Sequence, residues 1–143
     1  MEQGGIDVSV RDEKSDLLID ADPEMIKQVF LNILLNAQQA MPEGGALSVT
    51  TRMAPQSPLP QGKRIAEVVF QDAGPGIEPA FLSRIFDPFF TSREGGSGLG
   101  LAIAHNIISE HAGSISIENA PQGGTLVTVG FPVSSETSAG EGV

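Results

Sequence analysis

At 143 residues and 40% hydrophobic content, the chain is long enough to bury one core and too short for two ordinary domains. It contains no cysteine, which excludes disulfides and thiolate metal sites and fits a reducing compartment such as the cytoplasm. The formal net charge of −10, with only 8 Lys and Arg, argues against nucleic acid as the main partner.

The first predicted elements are two short strands and a long helix. Residues 6–10 and 17–19 form apolar, β-like runs that are separated by charged residues. Asp22 is a typical helix N-cap, and Pro23 suits the first helical position because its missing N–H costs nothing there. The helix is predicted to run from Pro23 to about Met41.

Further strands and a second long helix follow. Strands are predicted at residues 46–52, 65–71, 114–119 and 125–131. Between the last two, residues 121–124 have the composition of a hairpin turn. Apolar residues at helical spacing predict a helix over residues 98–112, with Gly113 as its C-terminal stop.

The mixture of strands and helices lacks a regular βαβ alternation. It therefore predicts an α+β fold, a two-layer sandwich with one sheet and its helices on one face. One domain is expected over residues 1–133, and residues 134–143, which are rich in Ser, Gly and Glu, are expected to be disordered. The proline-rich segment at residues 55–60 is expected to be an exposed loop.

A polar stripe runs along the first helix between apolar residues. The residues predicted to face the core are Met25, Val29, Ile33, Ala37 and Ala40. The stripe beside them consists of Gln28, Asn32, Asn36 and Gln39, with Leu31 and Leu35 beyond it. Asn32 and Asn36 are i,i+4 neighbours, and an amide carbonyl is a hard oxygen that suits Mg²⁺. The stripe indicates the wall of a cleft, although the same spacing also fits solvated helix positions.

Two glycine-rich segments are candidates for nucleotide contacts. Asp72 ends a predicted strand before a Gly-Pro-Gly turn, and its carboxylate can accept a hydrogen bond from an exocyclic amino group such as that of adenine. The same sequence also fits an ordinary aspartate at a turn. Residues 95–101 open the second helix, where backbone N–H groups and the helix dipole suit phosphates. They match neither a P-loop nor a dinucleotide-binding fingerprint.

Between these segments, residues 86–93 contain three phenylalanines followed by Arg93. Such a loop can fold over a bound base as a mobile lid, with Arg93 reaching phosphate oxygens. The alternative is a satellite hydrophobic cluster that anchors the loop, and the two interpretations are compatible.

Five segments, in this order and spacing, resemble the sequential boxes of histidine-kinase catalytic domains. They are residues 32–37, 72–77, 86–90, 96–101 and 123–125, and the resemblance covers about residues 5–133. It implies the Bergerat-type ATP-binding fold shared with gyrase, a heat-shock chaperone ATPase and mismatch-repair ATPases. That fold is a mixed, mostly antiparallel sheet of about five strands on three helices.

The resemblance also implies roles for individual residues. Asn36 would be the Mg²⁺ ligand, Asn32 its neighbour at the metal and phosphates, and Asp72 the adenine reader. The other residues expected at bound ATP are Gly74, Gly76, Ile77, Phe89, Arg93, Gly96, Ser97, Gly98, Leu99, Gly100, Leu101 and Thr125. Arg93 stands where many relatives have lysine. Gln39 and Ala40 stand where numerous kinases have a basic residue and a tyrosine, so those two contacts are expected to be absent.

The identity of Asn32 favours phosphoryl transfer over hydrolysis. Hydrolysing branches of the superfamily resemble this chain but carry a glutamate there to activate water, and an amide cannot act as a general base. His105 and His111 lack the neighbours typical of a phospho-acceptor, so they are expected to serve as a helix-surface or core residue and as a last-turn residue, respectively. The acceptor histidine is expected on a dimerising helical hairpin upstream of Met1.

The expected partners are therefore that histidine-bearing dimerisation domain of the same full-length protein and the receiver domain of a response regulator. The isolated domain is expected to be monomeric and the full-length protein homodimeric. A cytoplasmic protein, or the cytoplasmic part of a membrane-anchored sensor, fits this description. The alternatives are a nucleotide-dependent interaction module, an anti-sigma-type protein kinase and, last, a gyrase-like conformational ATPase.

Overall fold

A computed structural model describes residues 6–12, 19, 21–54, 64–90 and 99–133, which contain five strands and three helices. The strands are β1 (Ile6–Asp12), β2 (Gly45–Met53), β3 (Ile65–Asp72), β4 (Ser114–Asn119) and β5 (Thr125–Pro132). The helices are α1 (Pro23–Ala40), α2 (Pro79–Leu82) and α3 (Gly100–Glu110). The predictions for residues 13–18, 55–63, 91–98 and 134–143, including the loop and the tail, lie outside the described residues.

The strands form one sheet in the order β1-β2-β3-β5-β4. β1 is parallel to β2 and the other neighbours are antiparallel, which confirms the predicted mixed, mostly antiparallel sheet. Of the predicted run at residues 17–19, only Ile19 is described, and it forms an isolated bridge with Val133.

One main core joins the sheet to the two long helices. Alternate residues of each inner strand point toward the helices, as the two-residue period of a strand requires. The buried members of this core are Val29, Ile33, Ala37, Met41, Leu47, Phe70, Ala104, Ile107, Ile108, Val127, Val129 and Phe131. Burial of one such large aliphatic or aromatic side chain contributes about 2 kcal/mol to folding.

Helix α1 begins where its cap predicts. The Asp22 side chain accepts a hydrogen bond from the Glu24 N–H at 3.0 Å, and Pro23 occupies the first turn. The prediction that Met25 faces the core is wrong, because its side chain is 38% exposed. The helical period gives a direction around the axis, but it does not say how far along the axis the covering elements extend.

Helix α3 ends in a Schellman motif in which the N–H of Gly113 bonds to Ile108 O and that of Ala112 to Ser109 O. Gly113 thus takes part in the predicted C-terminal stop, but the left-handed residue is Ala112, with φ 59°, and not the glycine. Gly113 is required for another reason. A Cβ at this position would collide with the backbone carbonyl of Gly130 on β5.

Helices α1 and α3 pack antiparallel, with a contact at each end of α3. At one end the Asp22 N–H donates to His111 Nε2 at 3.2 Å, while His111 Nδ1–H donates to Ile107 O at 2.8 Å. At the other end, Asn32 contacts Gly100. None of the helices in the described part of the chain is long and apolar enough to cross a membrane.

Candidate functional site

Asp72 is a buried carboxylate at the C-terminal end of a central strand. It follows Val68 and Phe70 on the helix-facing side of β3 and is only 8% exposed. Its Oδ1 accepts hydrogen bonds from the Gly74 N–H at 2.9 Å and the Thr125 N–H at 3.1 Å. Both bonds end on Oδ1, so the side chain is fixed in orientation while Oδ2 is directed away from these two donors.

Close backbone approach shapes the surroundings of Asp72. Gly124 has φ +87°, and a Cβ there would collide with the backbone carbonyl of Asp72. A Cβ on Gly74 would lie 3.0 Å from the carbonyl oxygen of Ala40 at the end of α1. The loop after β3 is therefore enclosed by the β4–β5 turn on one side and by α1 on the other, which brings Asp72, Gly74 and Thr125 together.

Ile77 lies at the end of the same loop and belongs to a second, smaller core. Its side chain is buried with those of Ile85 and Leu101, the second residue of α3. Partly buried Phe86 and Phe90 pack against this cluster, which confirms the anchoring interpretation of the phenylalanine-rich loop. The cluster connects the loop after β3 to the start of α3, so two of the predicted ATP-contacting segments share one packing unit.

Phe89 differs from its two neighbours. Its side chain is 74% exposed, and its backbone has φ 68°, a left-handed conformation that is costly for a bulky residue. The guanidinium group of Arg84 lies over the ring of the neighbouring Phe90, 4.6 Å from the ring centroid. Phe89 thus stands at the surface, next to a segment that contains four other predicted contacts, Arg93, Gly96, Ser97 and Gly98, which all lie outside the described residues.

Asn32 connects the polar stripe of α1 to the start of α3. Its Nδ2 donates to the carbonyl oxygen of Gly100 at 3.0 Å, and its Oδ1 accepts from Gln28 Nε2 at 2.9 Å. The two bonds use opposite ends of the amide, so its orientation is determined. Asn32 is half-buried, whereas Leu31 and Leu35 beyond the stripe are exposed, so the apolar border predicted on that side lies at the surface.

Asn36 lies one helical turn after Asn32 and is also half-buried. In the described ranges, no group of three or more His, Cys, Asp or Glu side chains is placed to hold a metal ion. A cation at Asn36 would therefore need most of its oxygen ligands from a bound molecule, which is how Mg²⁺ is held beside nucleotide phosphates.

Leu99, Gly100 and Leu101 form the beginning of α3. Leu99 is the N-cap residue and offers no side-chain cap, so the first-turn N–H groups, which have no partner within a helix, point out of its N-terminal end. A Cβ on Gly100 would stand 3.8 Å from Asn32 Cβ, an ordinary contact. This helix end and the Asn32 amide thus form one polar unit suited to an anion.

Two residues contact the site residues in ways that the sequence did not predict. Gln28 was placed in the polar stripe, but its bond to Asn32 was not predicted. Asn119 was predicted only as the last residue of a strand, yet its side chain pairs with the backbone of Ile77. The i,i+4 spacing was the available signal for Gln28, while no local pattern signals a contact over a separation of 42 residues.

Comparisons with known proteins agree with this fold. Residues 21–135 match the family model described as histidine kinase-, DNA gyrase B-, and HSP90-like ATPase. The sensory histidine kinase/phosphatase NtrB of Salmonella typhimurium is 47% identical over 116 residues, which cover 78% of this chain and 33% of NtrB. This chain therefore spans about a third of that relative's length.

Two solved structures are similar as well. The nucleotide-free catalytic domain of histidine kinase ThkA superposes with a TM-score of 0.79 at 32% identity, covering 95% of this chain and 84% of that one. ThkA in complex with the response regulator protein TrrA gives a TM-score of 0.75 at 31% identity, covering 94% of this chain and 36% of that one. The α+β fold derived above is thus that of histidine-kinase catalytic domains.

Proposed function

This chain belongs to the histidine kinase-, DNA gyrase B- and HSP90-like ATPase family, and from that premise we propose that it is the ATP-binding catalytic domain of a sensor histidine kinase. In the proposed reaction a histidine ring nitrogen on a separate dimerisation domain forms a bond to the γ-phosphorus of ATP. The bond from that phosphorus to the bridging oxygen breaks and ADP leaves. The other ring nitrogen, which carries the imidazole proton, then loses that proton to solvent.

The observation that carries this proposal is the Asn32–Gly100 hydrogen bond at 3.0 Å. It places an amide, which cannot take a proton from water, beside the helix end that suits phosphates. A domain that binds ATP there without a general base would retain the phosphoryl group until an external nucleophile arrives. Positioning and electrostatic stabilisation supply most of the catalysis in such transfers.

Asp72 would select the base. Because Oδ1 is occupied by two backbone N–H groups, Oδ2 is the oxygen that would accept the exocyclic amino hydrogen of adenine. Guanine presents a carbonyl oxygen at that position, and two acceptors facing each other in a buried site repel. Gly74, Gly76, Ile77 and Thr125 would shape the pocket around the base.

Asn36 would hold the Mg²⁺ that accompanies ATP, with Asn32 as its neighbour. The donor set fits: an amide oxygen is a hard ligand, and the phosphates would supply further oxygens. The metal would neutralise phosphate charge, which matters for a chain with net charge −10. The first turn of α3, with Gly100 and Leu101, would donate N–H groups to the phosphates, and its N-cap Leu99 would lie beside them. The same contact is proposed for the segment containing Arg93, Gly96, Ser97 and Gly98. Phe89 would lie over the bound base.

The acceptor would come from elsewhere in the full-length protein. Both ring nitrogens of His111 are engaged by backbone groups, and exposed His105 stacks against Phe86 with ring centroids 5.0 Å apart. ThkA forms a complex with a response regulator protein. By analogy we propose that the phosphohistidine made with this domain passes its phosphoryl group to the aspartate of a receiver domain. The same proposal includes a full-length protein that forms a homodimer through its histidine-bearing domain and acts in the cytoplasm.

The test is a phosphotransfer assay with γ-labelled ATP, this chain and a separately produced histidine hairpin from the same full-length protein. We expect acid-labile phosphate on the hairpin, and none when Asn36→Ala replaces the native chain. Leu35→Ala, an exposed neighbour on α1, serves as the matched control. Absence of label on the hairpin would contradict the proposal. Label on a serine of a partner protein would indicate an anti-sigma-type kinase. Steady hydrolysis of ATP by the chain alone would indicate a gyrase-like ATPase.

A further inference from the structure

Asn119, the last residue of β4, makes a two-way hydrogen-bond pair with the backbone of Ile77. Its Oδ1 accepts from the Ile77 N–H at 2.7 Å, and its Nδ2 donates to the Ile77 carbonyl oxygen at 2.8 Å. The side-chain amide thus satisfies both polar groups of one residue in a loop that has no strand neighbour of its own.

This pairing requires the chemistry of an amide. Asparagine offers a donor and an acceptor at the end of a short side chain, so it can pair with a backbone N–H and C=O at once. Aspartate at neutral pH has acceptors only, and serine has a single oxygen that cannot span both groups. The position therefore has a definite side-chain requirement, although the residue itself is exposed.

The contact closes one end of the loop that carries the base-recognition groups. Asn119 lies opposite Thr125 in the β4–β5 ladder, and the Thr125 N–H holds Asp72 at the other end of that loop. Between them Gly76 has φ +84°, and a Cβ on it would stand 2.8 Å from Asn119 Oδ1. The end of the β4–β5 hairpin thus holds the loop after β3 by hydrogen bonds at both ends of that loop.

We propose that Asn119 is a positioning residue that holds residues 73–77 in the conformation that binds the base of the nucleotide. A loop with two glycines would otherwise sample many conformations, and the cost of ordering it would fall on the binding step. Because Asn119 already orders the loop in the free protein, less conformational entropy is lost when the base binds. The inference rests on the proposed function, because it assigns the base of ATP or ADP to the pocket beside Asp72.

The test measures ADP and ATP binding by isothermal titration to the native chain, Asn119→Ala and Asn119→Ser, at a temperature where circular dichroism shows each to be folded. Loss of the two hydrogen bonds is expected to weaken ADP and ATP about tenfold and by the same factor, since the contact lies at the base end. Glu118→Ala changes the preceding, exposed residue of β4 and is expected to bind as the native chain does.

A second readout is hydrogen exchange of the Ile77 amide by NMR without nucleotide. We expect faster exchange in Asn119→Ala and Asn119→Ser than in the native chain or Glu118→Ala. Unchanged ADP affinity in either folded Asn119 variant would overturn the inference and leave the proposed function intact. Failure of the native chain to bind either nucleotide would overturn the proposed function itself. If Asn119→Ala does not fold, Asn119→Ser decides the outcome.

Discussion

The side chain of Asn32 on α1 donates a hydrogen bond to the carbonyl oxygen of Gly100, the first residue of α3, at 3.0 Å. This bond fixes the start of α3 against the polar stripe of α1. The Gln28 side chain in turn holds the other end of the Asn32 amide. The relationship determines where first-turn N–H groups of α3 stand relative to Asn36, and it underlies the first prediction.

Replacing Asn32 is expected to weaken ATP binding. Asn32→Ala removes one positioned hydrogen bond, for which we expect a loss of about tenfold in affinity. Asn32→Asp should lose more, because a carboxylate cannot donate to Gly100 O and adds negative charge near the phosphates. Isothermal titration measures both variants against Leu31→Ala, an exposed neighbour on the same helix. ATP affinity equal to that of the native chain in Asn32→Asp would refute this role.

Asp72→Asn is expected to lower ATP affinity by roughly tenfold or more and to raise the ratio of GTP to ATP affinity. The new amide can keep its oxygen on the N–H groups of Gly74 and Thr125, which turns its NH₂ group toward the base. That group repels the amino group of adenine and can donate to the carbonyl of guanine.

The matched control for this change is Glu67→Gln, the same carboxylate-to-amide substitution on β3. Glu67 pairs across strands with Arg52 at 2.9 Å, away from the loop after β3, so nucleotide affinities should not change. Competition titrations with ATP and GTP give the ratio. A GTP to ATP ratio that stays at the native value in Asp72→Asn would show that Asp72 does not read the base.

Asn36→Ala is expected to abolish the dependence of ATP binding on Mg²⁺. The substitution removes the one amide oxygen proposed as a protein ligand, so the metal would no longer connect the phosphates to α1. The measurement compares ATP dissociation constants in Mg²⁺ and in a chelator for the native chain, Asn36→Ala and Leu35→Ala. A native-like Mg²⁺ effect in Asn36→Ala would remove Asn36 as the ligand.

Ala112 and Gly113, which follow the C-cap residue of α3, are expected to respond in opposite directions to substitution. Ala112→Gly should raise the free energy of unfolding by about 0.5 to 1 kcal/mol, because glycine adopts φ 59° without strain. This gain is already reduced by the greater conformational entropy that glycine gives the unfolded chain. Gly113→Ala should lower it by about 1 to 3 kcal/mol, since a Cβ would displace the Gly130 carbonyl. Urea unfolding measures both; destabilisation by Ala112→Gly would contradict the assignment.

Local patterns in the sequence were sufficient for most of the fold. The Asp22-Pro23 pair determines where α1 begins, because a cap acts on the backbone N–H groups of the next turn. Alternation along β3 determines that Asp72 shares the buried face of Phe70, since the side-chain period of a strand is two. The five motifs then identified the family, because their order along the chain needs no knowledge of contacts.

Only the tertiary structure decided how these pieces meet. Asn32 and Gly100 are 68 residues apart, and Asn119 and Ile77 are 42 apart, so no local period encodes either hydrogen bond. Gly113 looks like a helix stop in sequence but is needed for its approach to β5, a contact that exists only after the sheet has formed. Sequence patterns reflect interactions within a turn or a strand, whereas the site depends on packing between elements that are distant in the chain.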